Sequence, residues 1–237
     1  MPARASHAAT ERRLSPAFGW CATAAVSALL LLAVLPHIGV VLSSFAERWF
    51  FTILPTEYST QYYAEIFSNS INASYVTNSL LYSGLSAFVD LALGLVIAHL
   101  LAREQFPGKS VLDALAMLPL ALPGLVLAFA LLTSYNTHGL LAWMNPRTNP
   151  TFLLVISYSL RRLPYIVRAA YAGYQQTSVT LEEASYNLGA GRWRTFTRVT
   201  LPLIAPNLIA GTILTFCFAM LEVSDSLILA METRFAP

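Results

Sequence analysis

Thr180-Leu-Glu-Glu-Ala-Ser-Tyr-Asn-Leu-Gly-Ala-Gly-Arg-Trp-Arg-Thr-Phe-Thr-Arg-Val-Thr-Leu-Pro202 is a long, charge-bearing, amphipathic segment caught between two very apolar runs. Its spacing predicts helix, Gly turn, helix, Pro stop. Thr180 stands three residues before Glu183, the pattern of a capping box. Glu182 and Glu183 fall in a first turn, where the helix dipole favours negative charge. Gly189 offers a positive-φ stop. A second helix from about Arg192 to Thr200 places Trp193, Phe196 and Val199 on one face and Arg194 and Arg198 on a basic face. Pro202 is expected to end it. A polar hairpin between apolar runs is a handle for a partner in the aqueous phase, and its paired aromatic and basic faces suit docking into a groove.

The surroundings of this hairpin set the class. Of 237 residues, 56% are hydrophobic and 11% charged, against about 25% charged in soluble domains. Several runs reach the ~20 apolar residues that cross a bilayer. The expected fold is an all-α, polytopic transmembrane bundle. Five spans are read at about Phe18 to Leu42, Val76 to Leu101, Val111 to Leu132, Thr151 to Tyr174 and Ala205 to Ala230. With residues 1–17 as a basic tail, residues 18–237 form the membrane domain and 176–203 its polar loop. Five spans leave the C-terminus on the far side, so a sixth span beyond Pro237 is expected.

Orientation follows Lys and Arg. With the N-terminus inside, the inner side holds Arg4, Arg12, Arg13, Arg103, Lys109, Arg192, Arg194 and Arg198, while Arg48 and Arg147 lie in outer loops and Arg234 follows the last span. The hairpin is then cytoplasmic. The outer stretch 43–75 carries Trp49, Phe50, Phe51, Tyr58, Tyr62 and Tyr63, as a headgroup-level belt or a docking surface. Cys21 and Cys217 stand in apolar runs without a CxxC neighbour and read as small buried side chains, not a metal or redox site.

Within the spans, ionisable groups stand out because charge is costly there. Arg161 and Arg162 fall about ten residues into span four. They either line a path for an anion or, the preferred reading, snorkel from a shallow span to the interface. Glu222 and Asp225, three apart, are expected on one helix face, where they hold a cation, pair with the span-four arginines or make packing contacts. Asp90 and His99 are the other ionisable groups within spans. Pro119, Pro123 and Gly124 mark a kink or break in span three, a feature of substrate paths as well as of plain packing. The absence of a Gly-x-x-x-x-Gly-Lys-Ser/Thr loop excludes that device for ATP. No zinc spacing and no HExxH or Gly-x-Ser-x-Gly appears, and the basic residues are scattered, so neither enzyme chemistry nor nucleic-acid binding is supported.

Glu183-Ala184-Ser185, three residues, Gly189, nine residues, Val199-Thr200-Leu201-Pro202 resembles the EAA loop of binding-protein-dependent ABC transporter permeases, whose pattern is Glu-Ala-Ala, three residues, Gly, nine residues, Ile-x-Leu-Pro. Ser185 replaces the second Ala and Val199 the Ile. Leu100 to Lys109, Leu118 to Gly124 and Arg161 to Arg168 resemble further family segments, with a flavour closest to ferric-iron, polyamine and phosphonate importers. The resemblance implies a bacterial inner-membrane importer subunit whose loop docks in a cytoplasmic ATPase. It implies a second permease subunit and an extracytoplasmic binding protein as partners. ATP and Mg would sit on the ATPase, and this chain would bind no cofactor. Glu183, Ala184, Ser185, Gly189, Val199, Leu201 and Pro202 carry over by motif position; Arg192, Arg194 and Arg198 are added as candidate contacts to an acidic ATPase surface. Ferric ion is the expected cargo, with polyamine, phosphonate and inorganic oxyanion open. An ion- or proton-coupled secondary transporter or channel, with the hairpin as a structural element, is the alternative.

Overall fold

A computed structural model describes residues 15–68, 70–135 and 142–237. The basic residues Arg4, Arg12 and Arg13 lie outside these. The chain divides into two units, Met1–Ser68 and Asn69–Pro237.

In the first unit, α1 runs from Pro16 to Phe45, with Ser15 accepting from the Phe18 amide as N-cap. None of its residues is buried, as expected of a helix apolar all round whose solvent is lipid. A two-residue-deep hairpin, β1 (Ala46–Arg48) on β2 (Glu57–Tyr58), and a short α2 (Gln61–Ser68) follow. The aromatic stretch is therefore structured, not a loop: the Phe45 and Tyr63 rings lie 5.1 Å apart, and the Tyr63 hydroxyl meets Ser44 Oγ at 2.7 Å. Cys21 here and Cys217 in the second unit are exposed, contrary to the expectation of burial; each stands on an apolar helix face without a protein neighbour to cover it.

The second unit is built on three long helices. α3 spans Ser70–Arg103, α6 Thr151–Gln176 and α9 Leu201–Met220. The buried residues of α3 — Tyr82, Ser83, Ser86, Ala87, Asp90, Gly94, Ala98 and Leu101 — recur every three to four positions and form one stripe facing α6 and α9. Small residues let the backbones approach, as membrane packing requires where no water is available to drive association. Ile166 of α6 is fully buried between Gly94 and Gly211, and a Cβ at either glycine would run into it. Tyr174, Ile204 and Leu208 continue this core toward the hairpin.

The third expected span is broken. Lys109–Met117 (α4) passes into a 3-10 turn at Leu118–Ala121, and Gly124–Tyr135 (α5) leaves at 102° to it. Pro119 and Pro123 at this break remove amide donors and prevent a continuous helix. The last expected span is broken too. After Met220 the chain leaves the helix at Leu221–Val223 and resumes as α10 (Ser224–Leu229), so Glu222 and Asp225 do not share one helix face as expected. Three helices are long and apolar enough to cross a membrane, and the bent pair makes up to four among the described residues. α6, at 26 residues, reaches about 39 Å at 1.5 Å per residue, long enough to span, but its arginines lower its apolarity.

A polar hairpin and a buried ion-pair cluster

The hairpin begins with α7, Val179–Asn187. Its N-cap is Ser178, whose hydroxyl accepts from the Thr180 amide at 3.3 Å. The expected Thr180–Glu183 capping box does not form, because the helix starts two residues earlier and Glu183 faces outward. The stop is as expected: Gly189 has φ +84°. Its amide bonds Tyr186 O at 2.9 Å and the Ala190 amide bonds Ser185 O at 3.1 Å, the paired closure of a Schellman turn.

The return arm is α8, Arg192–Thr195. It does not end at Pro202. Phe196–Thr200 forms one π-helical turn, in which the Leu201 amide reaches back to Phe196 O, and the chain runs on as α9. Pro202 sits in the first turn of α9, where its missing donor costs little because the wide turn has already displaced the bonding register. A proline read as a stop is a register shift. The two arms are joined where Ser185 Oγ and Thr195 Oγ1 meet at 2.9 Å.

Glu183, Ala184, Gly189, Arg192, Arg194, Arg198 and Pro202 are exposed; Ser185, Val199 and Leu201 are half-buried. Leu188 and Trp193, 89% and 77% exposed, crown the turn. Glu182, passed over in favour of its neighbour, holds the hairpin to the bundle. It is buried and pairs with Arg103, the last residue of α3, at 3.0 Å. Arg103 also donates to Tyr174 O and Thr177 O at 3.3 and 3.2 Å, so one guanidinium ties α3, the end of α6 and α7. The sequence signal available was an acidic pair on a helix whose one face must bury. Beside this anchor, a groove of about 1060 Å³ is lined by Val96, His99, Leu100, Tyr186, Trp193 and Phe196 among others.

The second constellation lies in the helical bundle. Arg161 Nη1 contacts Glu222 Oε2 at 2.6 Å and Asp225 Oδ1 at 3.4 Å, and Arg162 Nη2 pairs with Glu222 and donates to Phe218 O at 3.1 Å. Asp225 Oδ2 accepts from Ser157 Oγ at 2.8 Å, and the Ser224 amide caps Glu222 Oε1 at 3.1 Å. Both carboxylates are buried, and the guanidinium side chains are 19% and 12% exposed. The preferred snorkelling reading is thereby corrected. The arginines turn inward because the α9–α10 break presents two carboxylates to them, and charges in a low-dielectric site must be paired. Gly124, at the start of α5, packs so close to the Arg161 guanidinium that a side chain there would collide with it. Pro119, half-buried, and Pro123, exposed, belong to the break that delivers Gly124. Two breaks thus converge on α6: the α4–α5 break packs on Arg161, and the α9–α10 break pairs with both Arg161 and Arg162.

Residues 90–231 match the family described as binding-protein-dependent transport system inner membrane component. The molybdenum transport system permease protein ModB of Escherichia coli K12 is 36% identical over 172 residues, covering 67% of this chain and 74% of that protein. The sulfate transport system permease protein CysT of the same organism is 29% identical, covering 88% and 73%. The putative ferric transport system permease protein FbpB 1 of Haemophilus influenzae is 35% identical over 66% of this chain but 24% of its own length. A crystal structure of a bacterial ABC transporter involved in the import of the acidic polysaccharide alginate shares the fold, with a TM-score of 0.65 at 17% identity over 95% of this chain and 80% of that one. This chain belongs to the binding-protein-dependent transport system inner membrane component family and is an ABC importer permease subunit.

Proposed function

We propose that this subunit lies N-terminus inside, that its Val179–Thr200 hairpin seats in a cytoplasmic ATPase, and that the complex imports an inorganic oxyanion delivered by an external binding protein, with a second permease subunit completing the path. The observation that carries the coupling role is the hairpin's construction. Its exposed tip at Leu188, Gly189 and Trp193 is offered to a partner, while its root is locked to α3 and α6 by the buried Arg103–Glu182 pair. A docked tip on a locked root transmits displacement into the bundle, as a loose loop would not. Glu183, Arg192 and Arg194 supply the exposed charge of both signs for docking.

The oxyanion reading rests on the relatives. Those named for molybdenum and sulfate transport align over about three quarters of their length, the ferric one over a quarter. Proteoliposomes holding the complex with its ATPase test both parts: ATP-driven uptake of labelled molybdate or sulfate, abolished by Glu183→Lys with membrane insertion intact. Uptake of ferric ion and neither oxyanion replaces the cargo assignment; uptake without the ATPase sinks the coupling role.

A further inference from the structure

Asp90 is the buried acid that this site leaves over. It lies on the inward stripe of α3, fully buried, and neither carboxylate oxygen has a hydrogen-bond partner among the described residues. α3 and α6 touch on either side of it: Ser159 Oγ of α6 donates to Ser86 O of α3 at 3.3 Å, and Ile166 packs on Gly94, which sets Arg162 of α6 at the level of Asp90. Arg162 has an unused donor to offer, since its Nε is buried and unpartnered while Nη2 serves Glu222 and Phe218 O.

Helical spacing explains the juxtaposition. Gly94, Ile166 and Gly211 form one packed layer of α3, α6 and α9. One turn along each helix, away from the hairpin, stand Asp90, Arg162 and Thr215. Thr215 is fully buried with its hydroxyl unpartnered, and Ser86, one turn further along α3, is the same. A membrane bundle that buries a carboxylate and nearby hydroxyls without partners holds an arrangement in which another conformation satisfies them better.

We infer that Asp90 is a second acceptor for the Arg162 guanidinium, and that transfer of Arg162 from Glu222 to Asp90 positions α6 against α3 in the alternate transport conformation. Arg162 carries one charge; Glu222 holds it, and Asp90 stands at its level on α3. On Glu222 it holds α6 to the α9–α10 break; on Asp90 it would hold α6 to α3. The two acids differ in support: Glu222 keeps Arg161 when Arg162 departs, whereas Asp90 has no hydrogen-bond partner among the described residues while Arg162 sits on Glu222. The structure therefore shows the Glu222 seat filled and Asp90 waiting. Small shifts in a packed core resolve into such discrete arrangements, because the core is bistable and not continuously deformable. The inference rests on the importer reading, since it needs two conformations driven by the ATPase.

Cryo-electron microscopy of the full permease–ATPase complex in lipid nanodiscs, nucleotide-free and vanadate-trapped, tests it directly. The expected result is Arg162 on Glu222 in one state and on Asp90 in the other; Arg162 on Glu222 in both overturns the proposal. Asp90→Asn adds a functional arm. It keeps ATPase co-purification and thermal stability, because Asp90 makes no hydrogen bond in this conformation, yet lowers uptake about tenfold by weakening one of two balanced states. Full uptake by Asp90→Asn, or loss of stability together with uptake, refutes the assignment. Wild-type uptake of labelled molybdate or sulfate in the same vesicles checks the importer reading separately, and the microscopy holds whichever cargo is carried.

Discussion

Arg103 Nη2 and Glu182 Oε1 lie 3.0 Å apart with side chains only 11% and 9% exposed, joining the last residue of α3 to the first turn of α7. Removing one partner leaves the other as an uncompensated buried charge. Arg103→Ala or Glu182→Gln is expected to cost about 3 kcal/mol locally and to free the hairpin root. Limited proteolysis should cut near residues 177–182 sooner, and ATPase co-purification should fall. Equal protease resistance in both variants would refute the anchoring role.

Gly189 separates backbone from side-chain effects. A β-branched residue at φ +84° is strained by more than the 1–2 kcal/mol of an ordinary residue, whereas Asn tolerates that region. Gly189→Val should therefore lose ATPase association while Gly189→Asn retains most of it. Pull-down of the ATPase from detergent extracts measures the difference, and identical losses would mean that the glycine's lack of bulk matters and its φ does not.

Gly124 reports on the ion-pair cluster without touching a charge. Gly124→Leu drives a side chain into the space of the Arg161 guanidinium. Displacing Arg161 from Glu222 and Asp225 costs about 3–5 kcal/mol if the pairing is lost outright. Thermal unfolding of the purified complex should shift down and uptake should drop, with ATPase co-purification unchanged. An unaltered melting temperature contradicts this packing.

Ser185 and Thr195 test the tie between the arms. Ser185→Ala removes one hydroxyl contact at 2.9 Å, a loss of about 1 kcal/mol, and should weaken ATPase affinity by no more than about fivefold. Thr195→Val strands the Ser185 hydroxyl in a half-buried place, whereas Ser185→Ala strands that of the fully buried Thr195, so Thr195→Val should cost no more. A titration of ATPase against immobilised complex reads both values.

Pro202 should prove dispensable for helix continuity. It occupies the first turn of α9 after a π turn, exposed and without a role in stopping the chain. Pro202→Ala is expected to change stability by less than about 0.5 kcal/mol. A large loss in thermal unfolding would show that the proline holds the π turn in place.

The hairpin was legible from residues because its signals are local. An acidic first turn, a glycine at the stop and an amphipathic return arm each act within a few positions, and the φ of Gly189 follows from them. Its start was misplaced because Ser178 and Thr180 both qualify as caps and burial of Glu182 decided between them. The reading of Pro202 failed for a related reason: a proline forbids one hydrogen bond, and the π turn at Phe196–Thr200 had already moved it.

Apolar content, span lengths and the EAA spacing are properties of the chain in order, so the sequence by itself determined a helical membrane bundle with a polar hairpin and the family to which it belongs. Which charges meet was decided only by the tertiary structure. Arg161 and Arg162 stand some sixty residues from Glu222 and Asp225, and Arg103 stands 79 residues from Glu182. The energy of such a pair depends on distance and on removal from solvent, and neither exists until α3, α6 and α9 have packed against one another.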